Sequence, residues 1–399
     1  MIHLFINGAA ASAGGGLTYL RNLIPHLGRR GDVRATVALS SVLLREFQET
    51  PNVSFVDSKF SSKSALRFVR EQTKLRSIIA HSGADVLVSA GNFALFRSPI
   101  PQILLSRNSL YTSREFYHDL RKRRDYKLLL DTWLKGALAR KSIDWADRTV
   151  APTYAFSEEL ARWARRKIVT IHHGFDANAF FADTGPLPER ARNMLDPQEG
   201  TVRLLFVSHY NYYRNFETLL RSIPLLRDRL APRRVQVVFT CNFCSSQNPG
   251  SYAASSAARL IQESDIASSV VELGAVPYSM LHHVYRACNV YVSPAYAESF
   301  AHPLVEAMAS GLPVVASDKP VHREICGPAA LYFSCFSPEE LADTVIRAVD
   351  ENESNRLSKE GRLRATAYSW EIHVAKLLEL AEGLLNEKKS QRTSRKVKA

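Results

Sequence analysis

The sequence has little that would anchor or cross-link it. No apolar run approaches the roughly 18 to 20 residues a membrane-spanning helix needs, which excludes such a span. Its 5 cysteines are an odd number scattered through a long chain, so a disulfide framework is excluded and reduced thiols in the cytoplasm are expected. Cys241 and Cys244 form a lone C-x-x-C; a zinc site would need a second ligand pair, for which His282 and His283 stand nearest, and two thiols at a strand end is the plainer reading. There is no Walker A sequence, no Asp-x-Asp and no zinc-finger, helix-turn-helix or RNA-binding signature, so neither a metal nor a nucleic-acid partner is expected. The N-terminal MIHLFINGAAASAGGG has the small residues of a signal peptide but no basic segment and too short an apolar stretch. It reads as a buried strand running into a glycine loop.

What the sequence does have is the balance of a folded protein: 46% hydrophobic and 23% charged residues over 399 positions, enough for two α/β domains. Short apolar runs alternate with helical patterns, the signature of parallel sheets covered by helices. MIHLFING, ADVLVSA, PQILLS, DRTVAP and KIVTIHHG supply strands of a first Rossmann-like domain over residues 1–180. A turn-rich stretch over 181–200 is the expected linker. VRLLFVS, RVQVVFT, VVELGAV, VYVSP, LPVVAS and ALYFS then build a second Rossmann-like domain over 201–370. A C-terminal helix over 371–388, returning to the first domain, and a basic tail over 389–399 complete the expected division.

The net charge of +13 is concentrated in RKRRDYK (121–127), around Arg140, Lys141 and Arg148, in RWARRK (162–167) and in the tail. Such runs suit a solvated face, an anionic lipid surface or a phosphate-bearing partner. Tyr111, Phe116, Tyr117 and Trp133 interleave with the charge and suit either a headgroup layer or a core.

Gly14, Gly15 and Gly16 follow the first strand and precede a helix expected near Thr18. Glycines allow close backbone approach and a helix N-terminus favours an anion, although the pattern is not G-x-G-x-x-G and fits a bare turn equally. From Ser293 to Asp318 the chain reads SPAYAESFAHPLVEAMASGLPVVASD, placing Glu298 in a loop and Glu306 in a helix that starts near Pro303. Carboxylates accept hydrogen bonds from vicinal hydroxyls, and the N–H groups of Phe300, Ala301 and His302 lie where they can hold a diphosphate. Alternatively, Glu306 faces solvent early in an amphipathic helix and Glu298 stabilises its N-terminus by charge.

Glu298, seven residues, Glu306 and the EAMASGLPVVAS that follows resemble the second-domain motif of the retaining glycosyltransferases of family 4. The resemblance extends through VVELGAVPYSMLHHVYRACNVYVSP, VHREICGPAALYFS and YSWEIHVAKLL and covers nearly the whole chain. It implies a GT-B fold: two Rossmann-like domains facing across a cleft, with a nucleotide-sugar donor on the second. It gives Glu306 the ribose hydroxyls, Glu298 the transferred sugar, the Phe300–His302 backbone the diphosphate, and Val276 the base. The family's G-R, four residues, Lys segment falls on VSHYNYYRN, so His209 and Arg214 match the diphosphate clamp. Arg214 keeps the charge and adds bidentate geometry; a His is only partly charged at neutral pH.

Where many members carry a first-domain His, this chain has Arg107 and Asn108, and Asn108 can hydrogen-bond a sugar but cannot act as a base. Gly15 and Gly16 match the family's glycine loop. The implied function is transfer of a hexose from a UDP- or GDP-linked sugar to a glycan or lipid-linked acceptor, with retention, without a metal or other cofactor, at Glu298, Arg214 and Asn108. The implied location is cytoplasmic or peripheral on an anionic membrane. A non-catalytic sugar-nucleotide-binding subunit on the same fold is the alternative.

Overall fold

The computed structural model describes residues 1–11, 14–58, 64–243 and 252–397; Cys244 of the C-x-x-C lies outside them. The chain forms two α/β units. The first comprises Met1–Thr112, Leu130–Gly174 and Ser369–Ala399, the second Ser113–Leu129 and Phe175–Tyr368.

In the first unit β1 (Ile2–Asn7), β2 (Val33–Leu39), β3 (Val53–Asp57), β4 (Val86–Ser89), β5 (Gln102–Leu105), β6 (Arg148–Ala151) and β7 (Val169–Thr170) form a parallel sheet in the order β3-β2-β1-β4-β5-β6-β7. Every residue of β1, β4 and β5 is buried, as expected for strands covered by helices on both faces. The helix Trp370–Val397 lays Trp370, Val374, Leu377, Leu378, Ala381 and Leu384, at helical spacing, into the core that holds Leu4, Ile6, Tyr19 and Leu23. Gly174 lets the chain pass beneath this helix, since a Cβ there would collide with the Trp370 backbone.

In the second unit β8 (Thr201–Phe206), β9 (Arg234–Phe239), β10 (Val270–Glu272), β11 (Val290–Ser293), β12 (Val314–Ser317) and β13 (Ala330–Phe333) form a parallel sheet in the order β10-β9-β8-β11-β12-β13. Both sheets therefore share the doubly wound order, which reverses direction beside the first strand of each unit. Ligands bind such sheets outside the carboxyl ends of the strands at that reversal.

Two expectations are revised. VRATVAL and VSFVD are strands that the apolar-run reading passes over; β2 and β3 carry Arg34, Thr36, Ser54 and Asp57 among their apolar residues. The division at 180 also gives way, because Ser113–Leu129 packs with the second unit. There Phe116 meets the Tyr213 ring at 6.2 Å, Lys319 donates to Glu115 at 2.6 Å, and Tyr296 donates to Asp119 at 2.8 Å. Arg123, one of the cations of the 121–127 run, pairs with Asp119 and Glu217 at 2.9 and 3.0 Å and lies 4.2 Å over the Tyr212 ring. Arg121, Lys122 and Arg124 are exposed, and among the described residues no helix is long and apolar enough to cross a membrane.

Candidate active site

At the strand reversal of the second unit, two loops leave the sheet side by side. The loop after β8 carries His209, turns through Tyr212–Arg214 and ends at Asn215, whose left-handed φ of 56° an Asn tolerates better than most side chains. From there the helix Phe216–Leu230 begins. The Asn215 amide donates to the Pro294 carbonyl at 3.1 Å and the Cys335 carbonyl at 2.7 Å, and its oxygen accepts from Thr218 at 2.8 Å. The backbone N–H of Tyr296 donates to Tyr213 at 3.0 Å. These bonds fix the β8 loop against the loop that follows β11.

Arg214 and Glu298 meet in that frame as an ion pair, Nη1 to Oε1, with the guanidinium 5.2 Å from the centre of the Tyr213 ring. The carboxylate is the more buried partner, so removing the cation would leave a charge with little water to replace it. His209, though exposed, stands near enough for Arg214 to act on it: desolvation by its neighbours and that positive charge hold its pKa below the ordinary value, so the imidazole is neutral at neutral pH. Behind the loops lies His322, fully buried, its Nδ1 2.9 Å from the Ser317 carbonyl and 3.1 Å from the Ser317 hydroxyl. Ser317 also donates to the Ala295 carbonyl, which braces the segment leading to Glu298.

The helix His302–Ala309 starts one residue before Pro303, after Ala301 turns the chain at φ 67°. The side chains of Phe300 and Ala301 are buried, Phe300 against Tyr368 at 5.5 Å, which leaves backbone as the chemistry these residues can offer. Glu306 does not face solvent. It is buried, accepts from the Tyr285 hydroxyl at 2.9 Å, and its pKa is pushed up to about 7 by that burial against the opposing hydrogen bonds of Tyr285 and Tyr278. A carboxyl poised there serves hydroxyl groups as either donor or acceptor. Val276 lies half-buried after β10, between Gly274, at φ 75°, and Pro277. Among the described residues no group of three or more His, Cys, Asp or Glu is placed to hold a metal ion.

In the first unit the three glycines are the opening turn of the helix Gly14–Gly28 and not a loop before it. A Cβ at Gly15 would meet nothing within 4 Å, so packing does not demand this glycine. Arg107 spans the end of this helix: it donates to the Gly15 carbonyl at 3.1 Å and to the Ala90 carbonyl, and lies 4.6 Å over the Tyr19 ring. Burial lowers its pKa to about 10, which keeps it charged at neutral pH. Asn108 uses its side-chain oxygen to accept from Leu110 at 3.0 Å, capping the turn Ser109–Tyr111. Below them Tyr19 bonds His373 at 2.8 Å; because His373 Nδ1 faces the His172 carbonyl at 2.8 Å it carries the proton, and Nε2 accepts from Tyr19.

The structure thus brings Arg214, Glu298 and His209 to one strand reversal and gives Glu306 a buried seat on the adjoining helix. Sequence reasoning passed over Asn215, Tyr285 and His322. Asn215 ties to Cys335, 120 residues away, and Tyr285 to Glu306 across 21, distances at which no local pattern speaks.

Residues 13–179 match the pattern of Glycosyltransferase Family 4, and residues 189–364 that of the group 1 glycosyl transferases. Similar proteins include a D-inositol 3-phosphate glycosyltransferase of Corynebacterium glutamicum, 26% identical over 54% of this chain and 51% of that one. An MMP alpha-(1->4)-mannosyltransferase of Mycolicibacterium hassiacum is 25% identical over 67% of this chain and 64% of that one. The first of these matches span only about half the length of the relatives concerned. Among solved structures, sucrose-phosphate synthase from Thermosynechococcus elongatus superposes with a TM-score of 0.76 at 18% identity, covering 97% of this chain and 100% of that one. Anabaena HepE in complex with UDP-glucose superposes with a TM-score of 0.70 at 16% identity, covering 96% of this chain and 100% of that one. The two doubly wound sheets are thus those of the GT-B fold, and with both halves matched in order, the chain belongs to the family 4 glycosyltransferases.

Proposed function

We propose that the protein transfers a hexose from a nucleotide-diphosphate sugar to a glycan or lipid-linked acceptor with retention of configuration. The observation that carries this is the Arg214–Glu298 pair, built at the strand reversal of the second unit and held there by Asn215. Arg214 is the group to neutralise the departing diphosphate, where charge develops in the transition state. The Phe300–His302 backbone lines the same anion. His209, neutral without ligand, gains a proton if a diphosphate settles beside it, because an adjacent anion favours the charged form. Glu306 takes the ribose hydroxyls, Glu298 the sugar, and Val276 the base. Since Glu298 is tied to Arg214, it serves as a hydrogen-bond partner to the sugar and not as a nucleophile. In the first unit Gly15 and Gly16 present backbone to the phosphate, and Asn108, whose oxygen caps a turn, retains its amide hydrogens for a sugar hydroxyl.

UDP or GDP is the nucleotide class; the complex of HepE with UDP-glucose, a protein of the same fold, favours testing UDP-sugars first. The reaction needs no metal on this reading, because Arg214 and backbone N–H groups meet the diphosphate charge. The surplus of cations suits an acceptor at an anionic membrane surface on the cytoplasmic side, each Lys or Arg near such a surface contributing about 1 kcal/mol.

The test is a panel of UDP- and GDP-sugars scored by melting temperature, followed by release of nucleoside diphosphate with and without acceptors in EDTA. One sugar nucleotide should raise the melting temperature by binding only the folded state, and acceptors should speed release. A panel without any shift overturns the reading. Binding without turnover would favour the non-catalytic partner subunit, and activity lost in EDTA and restored by magnesium or manganese would overturn metal independence.

A further inference from the structure

The helix Tyr126–Trp145 is amphipathic the wrong way round for a helix serving only its own fold. Its inward stripe consists mainly of small residues: Thr132, Gly136, Ala139, Ser142 and Ile143 are buried. Its large apolar side chains point outward, with Tyr126 63%, Leu130 55%, Trp133 58% and Leu134 54% exposed. Their spacing, four, three and one residues apart, places them on one face over two turns. Burying small residues and exposing large ones leaves apolar surface in water, and a contiguous exposed patch of this kind marks an interaction site.

The charge around the stripe identifies the partner. Lys127 is exposed at its start and Arg140 and Lys141 at its end. The helix's acids are already matched: Asp131 pairs with Lys135 at 2.7 Å and Asp144 with Arg166 at 2.8 Å. A second copy packed on this stripe, in either direction, would set cations against cations. An anionic bilayer offers apolar chains to the centre of the stripe and negative headgroups to its ends, with Trp and Tyr at the level where such rings settle.

We infer that the outward face of this helix, Tyr126, Leu130, Trp133 and Leu134 with its basic ends, docks the protein in the plane of an anionic phospholipid bilayer. The inference rests on the membrane part of the acceptor reading but not on transfer, since docking needs neither donor nor acceptor.

Sedimentation of the full chain with vesicles of phosphatidylcholine, with and without about one-third phosphatidylglycerol, tests it. Wild type should sediment with the anionic vesicles at low salt and release as salt rises. The doubly charged variant Leu130→Glu/Leu134→Glu should bind at least about tenfold more weakly with an unchanged melting temperature, since both sites are exposed. Lys127→Glu/Arg140→Glu/Lys141→Glu should weaken binding to anionic vesicles alone. If wild type ignores anionic vesicles, both this inference and the membrane reading fall. Wild-type binding that both variants retain removes the helix face while leaving the membrane reading in place. A concentration-dependent dimer that Leu130→Glu/Leu134→Glu dissolves, without vesicle binding, would reassign the face to self-association.

Discussion

The two units carry the same strand order but equip its reversal differently. In the second unit the loops after β8 and β11 bring charged and hydrogen-bonding side chains together: Arg214 against Glu298, with Asn215 locking the frame. In the first unit the corresponding position is a helix opening on three glycines, with Arg107 spent on backbone carbonyls and Asn108 on a cap. One fold thus carries paired charged side chains at one reversal and a glycine-opened helix at the other. The difference lies in the residues at the strand ends and not in the sheet.

The comparison breaks most visibly at Arg214. Arg214→Ala should lower kcat by about 10²–10³-fold, the usual cost of removing one donor to a developing anion, with Arg214→Lys recovering part. Steady-state turnover at saturating donor measures this, and an unchanged rate would remove Arg214 from the reaction.

The next effect belongs to Glu306. Burial raises its pKa from 4.5 to about 7, so between those values the folded protein keeps a proton that the unfolded chain has lost. Stability should therefore fall as pH rises through that window and stay low above it, by about 3 kcal/mol at 1.36 kcal/mol per unit. Glu306→Gln, neutral throughout, should lose this slope. Urea unfolding of both proteins at about pH 5 and about pH 8 makes the comparison, and identical pH slopes would contradict it.

Asn215→Ala should cost about 1–3 kcal/mol through the lost hydrogen bonds and the left-handed backbone. Asn215→Gly keeps the backbone free and isolates the bonds. Thermal melts read both; an Ala variant as stable as wild type would mean the two loops do not depend on this tie.

The smallest effect sharpens the contrast from the other side. Gly15→Ala should stabilise the fold by about 0.4–1 kcal/mol, because its Cβ meets open space and the unfolded chain loses freedom. If the glycine is there for a phosphate, the same variant should bind the sugar nucleotide more weakly. Stabilisation with intact binding would reduce it to an ordinary helix start.

What the sequence could tell follows from where its signals lie. Glu298, Glu306 and the helix beginning at His302 fall within nine residues, so their grouping was legible as a line of text. The fully buried and mostly apolar β1 and β4 announced themselves in the same way. β2 was less visible because polar residues interrupt it. Asn108 suits a ligand contact, yet an Asn ahead of Ser-Leu-Tyr is also a capping signal, and the backbone N–H of Leu110 takes its oxygen. The membership of Ser113–Leu129 in the second unit rests on contacts such as Asp119 with Tyr296, 177 residues apart, which no window along the chain contains.

The central claim is that the second unit's strand reversal holds the donor, and calorimetric titration of the sugar nucleotide selected by the melting panel into wild type and Glu306→Ala tests it most directly. The expected loss is about 1.5–3 kcal/mol, roughly ten- to a hundredfold in Kd, as the ribose hydroxyls lose their acceptor. An unchanged affinity would contradict it.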